Sequence, residues 1–268
     1  MSTVLAALDS SAAARPVLEA ALGIAELTDA TVEAVHVHTD SAETPEALAA
    51  RAGVAFRLLH GPVETALLRA VGEPAVIAAV LGARGTPAGR RPAGRTALHI
   101  VERTDKPVVV VPPEAVGVSP RPFRRLLVPL EGTDASSRPV VERLVPLIAA
   151  KVELVVLHVF TPDTTPRMLD RPIRDLQMLG GEFLARYCPN ATRIELRAGT
   201  IGTHVADMCQ EEQADLIVLS WSQDMSTGRA DVVRWVLGHS TVPVLLLPVD
   251  DARIEAHNST AGTGHGAR

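Results

Sequence analysis

The sequence has few aromatic residues and few cysteines, and both shortages limit what it can encode. Aromatic residues make up 3% of the 268 residues, so the core has to be built from Ala, Val, Leu and Ile. Such a composition suits buried parallel strands covered by helices. Cys188 and Cys209 show neither metal-ligand spacing nor a disulfide framework. We therefore expect both to be buried, apolar residues in a reducing compartment.

The chain also lacks an excess of positive charge and any long apolar run. Its formal net charge is −5, whereas a nucleic-acid partner usually leaves a basic footprint. No apolar run reaches the length of a membrane span, and the N-terminus lacks the basic start of a signal peptide. We expect a cytoplasmic protein that binds neither nucleic acid nor membrane.

What the sequence does contain is the same order of elements twice. Apolar runs typical of strands alternate with helical stripes, and the last strand of each half follows a proline, Pro107 or Pro243. Such agreement between halves of similar length indicates an internal duplication. Short segments recur in step: Arg15-Pro16-Val17 and Arg138-Pro139-Val140, His36-Val37 and His158-Val159, and His60-Gly61-Pro62 and Ala198-Gly199-Thr200.

The duplication predicts two α/β domains, residues 1–113 and 124–249, joined by a linker at 114–123. Residues 250–268 are polar and lack periodicity, which predicts a disordered tail. Each domain should hold a five-stranded parallel sheet with helices on both faces. The last strands of the two domains, Val108–Val111 and Val244–Leu247, are flat and apolar, and such edges need a partner. We expect them to pair in an intrachain pseudo-dimer, with a homodimer as a larger assembly.

A glycine- and arginine-rich loop follows the fourth strand, which we predict at 75–81. Glycines allow backbone N–H groups to approach an anion closely, and a following helix N-terminus adds a positive partial charge. The arginines would add charge-assisted hydrogen bonds. The alternative is a strand-to-helix loop that uses glycine for its turns and exposes arginine to water. The loop contains Gly82, Arg84, Gly85, Arg90, Arg91, Gly94, Arg95 and Thr96.

Asp9 stands at the carboxyl end of the first strand, where doubly wound sheets bind their ligands. Its alternative role is to cap the helix predicted at 12–28, a role that Ser10 or Ser11 also suits. A second helix is predicted at 44–51, with Thr44 as its cap.

Two further residue types were considered as ligands. His36 and His38 face the same side of a strand, but no third metal ligand follows and His158 repeats His36, so we expect a structural role and no metal. We expect Trp235 to lie in the core and Trp221 to close a vacant pocket in the second half.

These features together resemble the universal stress protein family, and the duplication resembles its tandem members. The residues that carry the resemblance are Val4 to Asp9, His36-Val37, the loop from Gly82 to Gly94, and Lys106-Pro107. It covers about residues 3–112 and 124–249. The resemblance implies two tandem domains of Rossmann-like, adenine-nucleotide-alpha-hydrolase-like fold.

The family's nucleotide-binding branch has a loop of the form G-x2-G-x9-G-(S/T). Here eight residues separate Gly85 from Gly94, and Arg95 stands where Ser or Thr is expected. The resemblance implies that ATP, with Mg²⁺, would bind in the first domain. Its phosphates would lie among Gly82, Gly85, Gly94, Arg95 and Thr96, with Asp9 near the adenine or ribose and the backbone of Val37 at the base.

The second half departs from that pattern. Ser220-Trp221-Ser222-Gln223 replaces the first pair of glycines, and Glu131 replaces Asp9. Asp231, at the start of the following helix, would repel a phosphate. We predict that the second half binds no ATP.

Three functions follow from the residues and the resemblance together. The first is a universal-stress-type regulatory or stress-response protein that binds ATP or a related adenine nucleotide in its first domain. The alternative is an interaction or dimerisation module that binds no nucleotide. A slow ATP hydrolase is the third, although the sequence names no catalytic residue for an enzyme.

Overall fold

A computed structural model gives the fold, and it describes residues 1–37, 43–83, 93–115, 122–132, 134–145, 152–160, 173–224 and 230–249. The predicted tail and most of the predicted linker lie outside these residues. Strands and helices alternate through both halves. The first half comprises β1 (Thr3–Ala7), α1 (Ala14–Thr28), β2 (Thr31–Val37), α2 (Glu43–Arg51), β3 (Ala55–Leu59), α3 (Val63–Val71), β4 (Val76–Gly82), α4 (Arg95–Arg103) and β5 (Val108–Val111). The second half comprises β6 (Arg125–Pro129), α5 (Asp134–Leu144), β7 (Glu153–Phe160), α6 (Ile173–Tyr187), β8 (Arg193–Ala198), α7 (Ile201–Glu211), β9 (Leu216–Trp221), α8 (Asp231–His239) and β10 (Val244–Pro248).

All these strands belong to one ten-stranded sheet, in the order β3-β2-β1-β4-β5-β10-β9-β6-β7-β8. Within each half the pairs are parallel, and both halves have the same doubly wound order. The α/β class, the parallel sheet in each half and the duplication are therefore confirmed. The order within the first half, β3-β2-β1-β4-β5, reverses direction between β1 and β4, where such sheets bind ligands.

The two halves join at β5 and β10, the only antiparallel pair among the strand pairings of the described chain. Val110 lies opposite Val244, and Val108 opposite Leu246. Both strands are buried on both faces, so either one alone would expose an apolar edge. The pairing of these two strands was predicted from the sequence, and it makes the two separate sheets continuous.

Helices cover both faces of this sheet, as expected, and each face has one continuous apolar cluster that spans both halves. Alternate side chains of β5 pack in the two clusters: Val109 and Val111 belong to one, and Val108 and Val110 to the other. One cluster contains α1 and α5, and the other contains α3, α4, α7 and α8. The core is therefore shared between the halves. Val, Leu, Ile and Ala supply most of it, as the composition predicts.

The residues at the ends of the predicted linker are part of the core. Ala115 and Phe123 are buried, and a Cβ atom on Gly23 of α1 would lie 2.9 Å from the Phe123 ring. The helix therefore needs glycine at this point, because any side chain would displace the ring. Phe123 fastens the start of the second half to a helix of the first.

Two capping predictions were wrong. Helix α1 begins after Ala13, and no side chain caps it. Ser11 instead accepts a hydrogen bond from the Ala13 N–H at 3.1 Å, within the turn that precedes the helix. Helix α2 begins at Glu43, so Thr44 lies inside it and does not cap it. Both errors come from turns that lengthen or shorten the helix by a residue or two.

Both cysteines are free and buried, as the sequence predicts. Burial raises the pKa of the Cys188 thiol, and burial with the nearby Asp215 raises that of Cys209 to about 11. Neither thiol is therefore a reactive thiolate at neutral pH. None of the helices in the described chain is long and apolar enough to cross a membrane.

Candidate functional site

A cleft of about 410 Å³ opens at the carboxyl ends of β1, β2 and β4. It lies at the point where the strand order of the first half reverses, the usual ligand position in such a sheet. Six of the seven predicted site residues line it: Asp9, Val37, Gly82, Gly94, Arg95 and Thr96. The seventh, Gly85, lies outside the described residues, as do Arg84, Arg90 and Arg91.

The N-terminus of α4 forms one wall of this cleft. Gly94 is its N-cap residue, and no side chain caps the helix. The first backbone N–H groups of a helix have no acceptor within the helix, and the residues that carry them here, Arg95, Thr96 and Ala97, all line the cleft. Uncapped N–H groups and the positive end of the helix dipole together favour an anion at this position.

The two glycines of the described part of the loop permit close approach. The Gly94 N–H donates a 2.6 Å hydrogen bond to the carbonyl of Ala83, and a Cβ atom on Gly94 would lie 3.3 Å from that same oxygen. Gly82 ends β4, and a Cβ atom there would lie 3.5 Å from Val17 in the cleft wall. Small residues therefore close the strand-to-helix connection tightly and leave the cleft open in front of it.

Asp9 lies at the rim, exposed, where the chain leaves β1. Its Oδ1 accepts hydrogen bonds from the Ser11 N–H at 3.0 Å and the Ser11 hydroxyl at 2.6 Å. This turn holds the carboxylate over the cleft rather than on the N-terminus of α1, so Asp9 does not act as the helix cap. An exposed carboxylate held in this way can accept hydrogen bonds from hydroxyl or amino groups of a ligand.

The opposite end of the cleft is apolar. Val35 and Val37 of β2 and Leu67 of α3 line it. The β1–β2 ladder ends at the pair Ala7 and Val35, so Val37 lies two residues beyond that pair. The cleft thus combines the N-terminus of α4 with apolar side chains of β2 and α3, a combination that suits a ligand with a flat ring and an anionic group.

His36 of β2 also lines the cleft and is buried, with 4% of its surface exposed. Its Nδ1 lies 2.8 Å from the carbonyl oxygen of Leu8, which can only accept, so Nδ1 carries the proton. His158 makes the same bond to Leu130 at 2.8 Å. The repeated contact confirms a shared structural role, in which the ring ties β2 or β7 to the end of the first strand of its half.

No group of three His, Cys, Asp or Glu residues with metal-site geometry occurs among the residues whose structure is described. His38, the second histidine of the candidate pair, lies outside them. The described chain thus offers no preformed cage for a metal ion.

Glu64 is a residue of this region that the sequence did not reveal. Its carboxylate lies 3.1 Å from Nε of Arg95 and 3.8 Å from Nδ1 of His99. Glu64 is in the first turn of α3 and Arg95 in the first turn of α4, so only the packing of the two helices brings them together. Arg95 is 92% exposed and Glu64 26%, so the guanidinium is free to move to another partner in solvent.

The corresponding region of the second half is built differently. Helices α4 and α8 both have nine residues, which places Ala230 at the N-cap position of Gly94 and Asp231 at the position of Arg95. The register of β10 with β9 likewise places Ser220 opposite Leu247, as Gly82 lies opposite Val111. A carboxylate therefore replaces a guanidinium at the helix start, and side chains replace glycine.

Trp221, which was predicted to close a vacant pocket in the second half, is buried and also contacts the first half. The side chain is 2% exposed, and its Nε1–H donates a 3.1 Å hydrogen bond to the carbonyl of Val101 in α4 of the first half. Trp235 was predicted in the core but is half-buried, stacked on His239 with ring centroids 4.1 Å apart. The sequence could not show that Trp221 crosses to the other half.

Comparison with known sequences identifies one half of the chain. Residues 122–248 match the sequence model of the universal stress protein family. No curated protein is significantly similar in sequence. The match falls on the half in which Ser220 and Ala230 replace the glycines.

Solved structures resemble the whole chain. A universal stress protein from Archaeoglobus fulgidus has a TM-score of 0.63 at 16% identity, covering 92% of this chain and 98% of its own. A putative universal stress protein from Pseudomonas aeruginosa has a TM-score of 0.64 at 13% identity, and a functionally unknown protein from the same organism 0.66 at 12%. Each of these two covers 97% of both chains. The fold likeness therefore extends across both halves.

Proposed function

We propose that the chain, whose residues 122–248 match the universal stress protein family, is a tandem member of that family and a regulatory, stress-type protein whose first half binds an adenine nucleotide. The observation that carries the proposal is the cleft itself. Its polar wall is the uncapped N-terminus of α4, and its other end is apolar. A nucleotide has an anionic group and a flat ring in the same relative arrangement.

The phosphates would lie against the N–H groups of Arg95 and Thr96, with Gly82 and Gly94 leaving room for them. On binding, the Arg95 guanidinium would exchange Glu64 for a phosphate oxygen, a charge-assisted bond of the same kind. The base would enter between Val37 and Leu67, and Asp9 would accept a hydrogen bond from the ribose or the base. Gly85 completes the set that the family resemblance implies.

Magnesium would come with the nucleotide. Mg²⁺ usually keeps several waters and binds through one or two carboxylates and the substrate phosphates, without a dedicated protein cage. Asp9, the carboxylate that lines this cleft, is placed at the ribose or the base, so the ion would be held by the phosphates and its waters. The ion would neutralise part of the phosphate charge.

Substitution of the two arginines at the ends of α4 tests the proposal. Arg95 lies at the cleft and Arg103 ends the helix, so Arg95→Gln removes charge at the cleft and Arg103→Gln is the matched control. We expect Arg95→Gln to weaken binding of ATP by about 10-fold, the loss of one hydrogen bond to a charged group. Binding of adenosine, which has no phosphate, should be unchanged in both variants.

Isothermal titration with MgATP, MgADP and adenosine gives these affinities. Saturable binding of MgATP that Arg95→Gln weakens and Arg103→Gln leaves unchanged supports the proposal. No binding by the wild-type protein at millimolar ATP overturns it and favours the interaction module that binds no nucleotide.

A further inference from the structure

Helix α4 connects the cleft to the second half of the chain. Its first residues, Arg95 to Ala97, line the cleft, and its C-cap residue is Thr104. A helix rises 1.5 Å per residue, so the two ends of this nine-residue helix are about 13 Å apart. A displacement of one end is therefore felt at the other, because hydrogen bonds within the helix keep it stiff.

The far end of α4 is held by two side chains of the second half. The last carbonyl groups of a helix lack donors within the helix. Trp221 donates its indole N–H to the Val101 carbonyl at 3.1 Å, and Gln223 donates its amide N–H to the Thr104 carbonyl at 2.5 Å. Both donors lie more than a hundred residues away along the chain, so the second half caps a helix of the first.

The backbone of Gln223 adopts a conformation that costs free energy. Gln223 has a φ of 62°, in the left-handed region that non-glycine residues rarely adopt. Such a conformation persists only where surrounding contacts determine it. The contact of its side chain with Thr104 is one such constraint, and the buried indole of Trp221 two residues earlier is the anchor of the same segment.

Among the residues whose structure is described, the Trp221 contact has no counterpart in the other direction. Ala83 is the residue of the first half that corresponds to Trp221, because Gly82 pairs with Val111 as Ser220 pairs with Leu247, and Ala83 and Trp221 directly follow these residues. An alanine carries no donor and cannot reach the end of α8. The end of β4 therefore borders the cleft, whereas the end of β9 and the residues after it contact the helix that lines this cleft.

We propose that Trp221 and Gln223 are positioning residues for the cleft, which fix α4 from its C-terminal end and couple nucleotide binding in the first half to the second half. The inference rests on the proposed function of the cleft. A nucleotide that draws the N-terminus of α4 towards its phosphates would alter the hydrogen bond between Val101 and Trp221. Conversely, loss of the cap would leave α4 less well ordered and would weaken binding.

The chain contains two tryptophans, which makes the coupling observable. In Trp235→Phe, Trp221 is the remaining tryptophan. We expect its emission to change on titration with MgATP, with the same midpoint that calorimetry gives for binding. Binding measured by calorimetry with no change in emission contradicts the coupling. No binding by calorimetry overturns the proposed function, and the coupling with it.

Two variants then remove the hydrogen bonds one at a time. Trp221→Phe keeps an aromatic ring without the N–H donor, and Gln223→Leu keeps the size of the side chain without its amide. We expect each to weaken MgATP binding by about 3- to 10-fold, the range of coupling through such contacts, while Trp235→Phe, the matched control, binds as the wild type does. Unchanged affinity in Gln223→Leu overturns the proposal even where Trp221→Phe does not fold.

Discussion

The β4–α4 connection in the first half and the β9–α8 connection in the second have the same place in the same fold but differ in what fills them. In the first, Gly82 and Gly94 leave a cleft whose polar wall is an uncapped helix N-terminus. In the second, Ser220 and Trp221 occupy the corresponding strand end, and Asp231 begins the helix. The duplication thus gives two equivalent positions, and their residues make different contacts.

The second half also shows that residues in place of the glycines can have a structural role of their own. Trp221 is among the largest fully buried side chains of the described chain, and its donor reaches into the other half. A glycine at that point would leave the end of α4 without its cap. The second half therefore contacts the first through Trp221, whose counterpart in the first half, Ala83, lines the cleft.

The largest effect should come from truncating Trp221. We expect Trp221→Ala to lower the free energy of unfolding by about 3–5 kcal/mol, because it leaves a large cavity and an unpaired carbonyl. Trp235→Ala, at a half-buried site, should cost about 1–2 kcal/mol. Urea denaturation followed by circular dichroism measures both free energies of unfolding. Equal losses would mean that Trp221 contributes no more to stability than the half-buried Trp235.

The next effect tests the open cleft against its closed counterpart. Gly82→Leu places a side chain beside Val17 in the cleft, and Ser220→Leu places the same side chain at the corresponding point of the second half. We expect Gly82→Leu to weaken MgATP binding by at least about 100-fold, or ~2.7 kcal/mol, and Ser220→Leu to leave it unchanged. Calorimetry on the folded variants decides, and equal effects on affinity would show that ligand binding does not distinguish the two positions.

The smallest effect concerns the pH dependence of stability. Burial is the main cause that lowers the pKa of His158 from its usual 6.5. The unfolded chain therefore binds a proton that the folded chain resists, and stability falls as pH decreases below about 6.5. We expect His158→Gln, which keeps a donor for the Leu130 carbonyl, to flatten the change in unfolding free energy between pH 7.5 and pH 5. An unchanged pH dependence in this variant would assign the effect to other groups.

The sequence was sufficient for the features that depend on local pattern and topology. Val108–Val111 is apolar on both faces, so its need for a partner strand was readable. Asp9 and Gly82 are 73 positions apart in the numbering, but both stand at the carboxyl end of a strand of the parallel sheet. Because the carboxyl ends of parallel strands lie at the same edge, their meeting in one cleft was predictable.

What the sequence did not reveal are contacts set by how helices and halves pack. Glu64 meets Arg95 because α3 and α4 lie side by side, and nothing in the local sequence of either residue indicates the other. Trp221 and Gln223 reach α4 only because β5 and β10 pair antiparallel. The predicted cap of α1 was also wrong, because Ser11 makes its hydrogen bond within a turn that ends before the helix begins.

One measurement tests the central claim most directly, which is the number of adenine nucleotides bound per chain. Equilibrium dialysis of the full chain against labelled ATP with magnesium gives that number without assuming where binding occurs. The account predicts one nucleotide per chain, lost in Gly82→Leu and kept in Ser220→Leu. Two nucleotides per chain, or none, would contradict it.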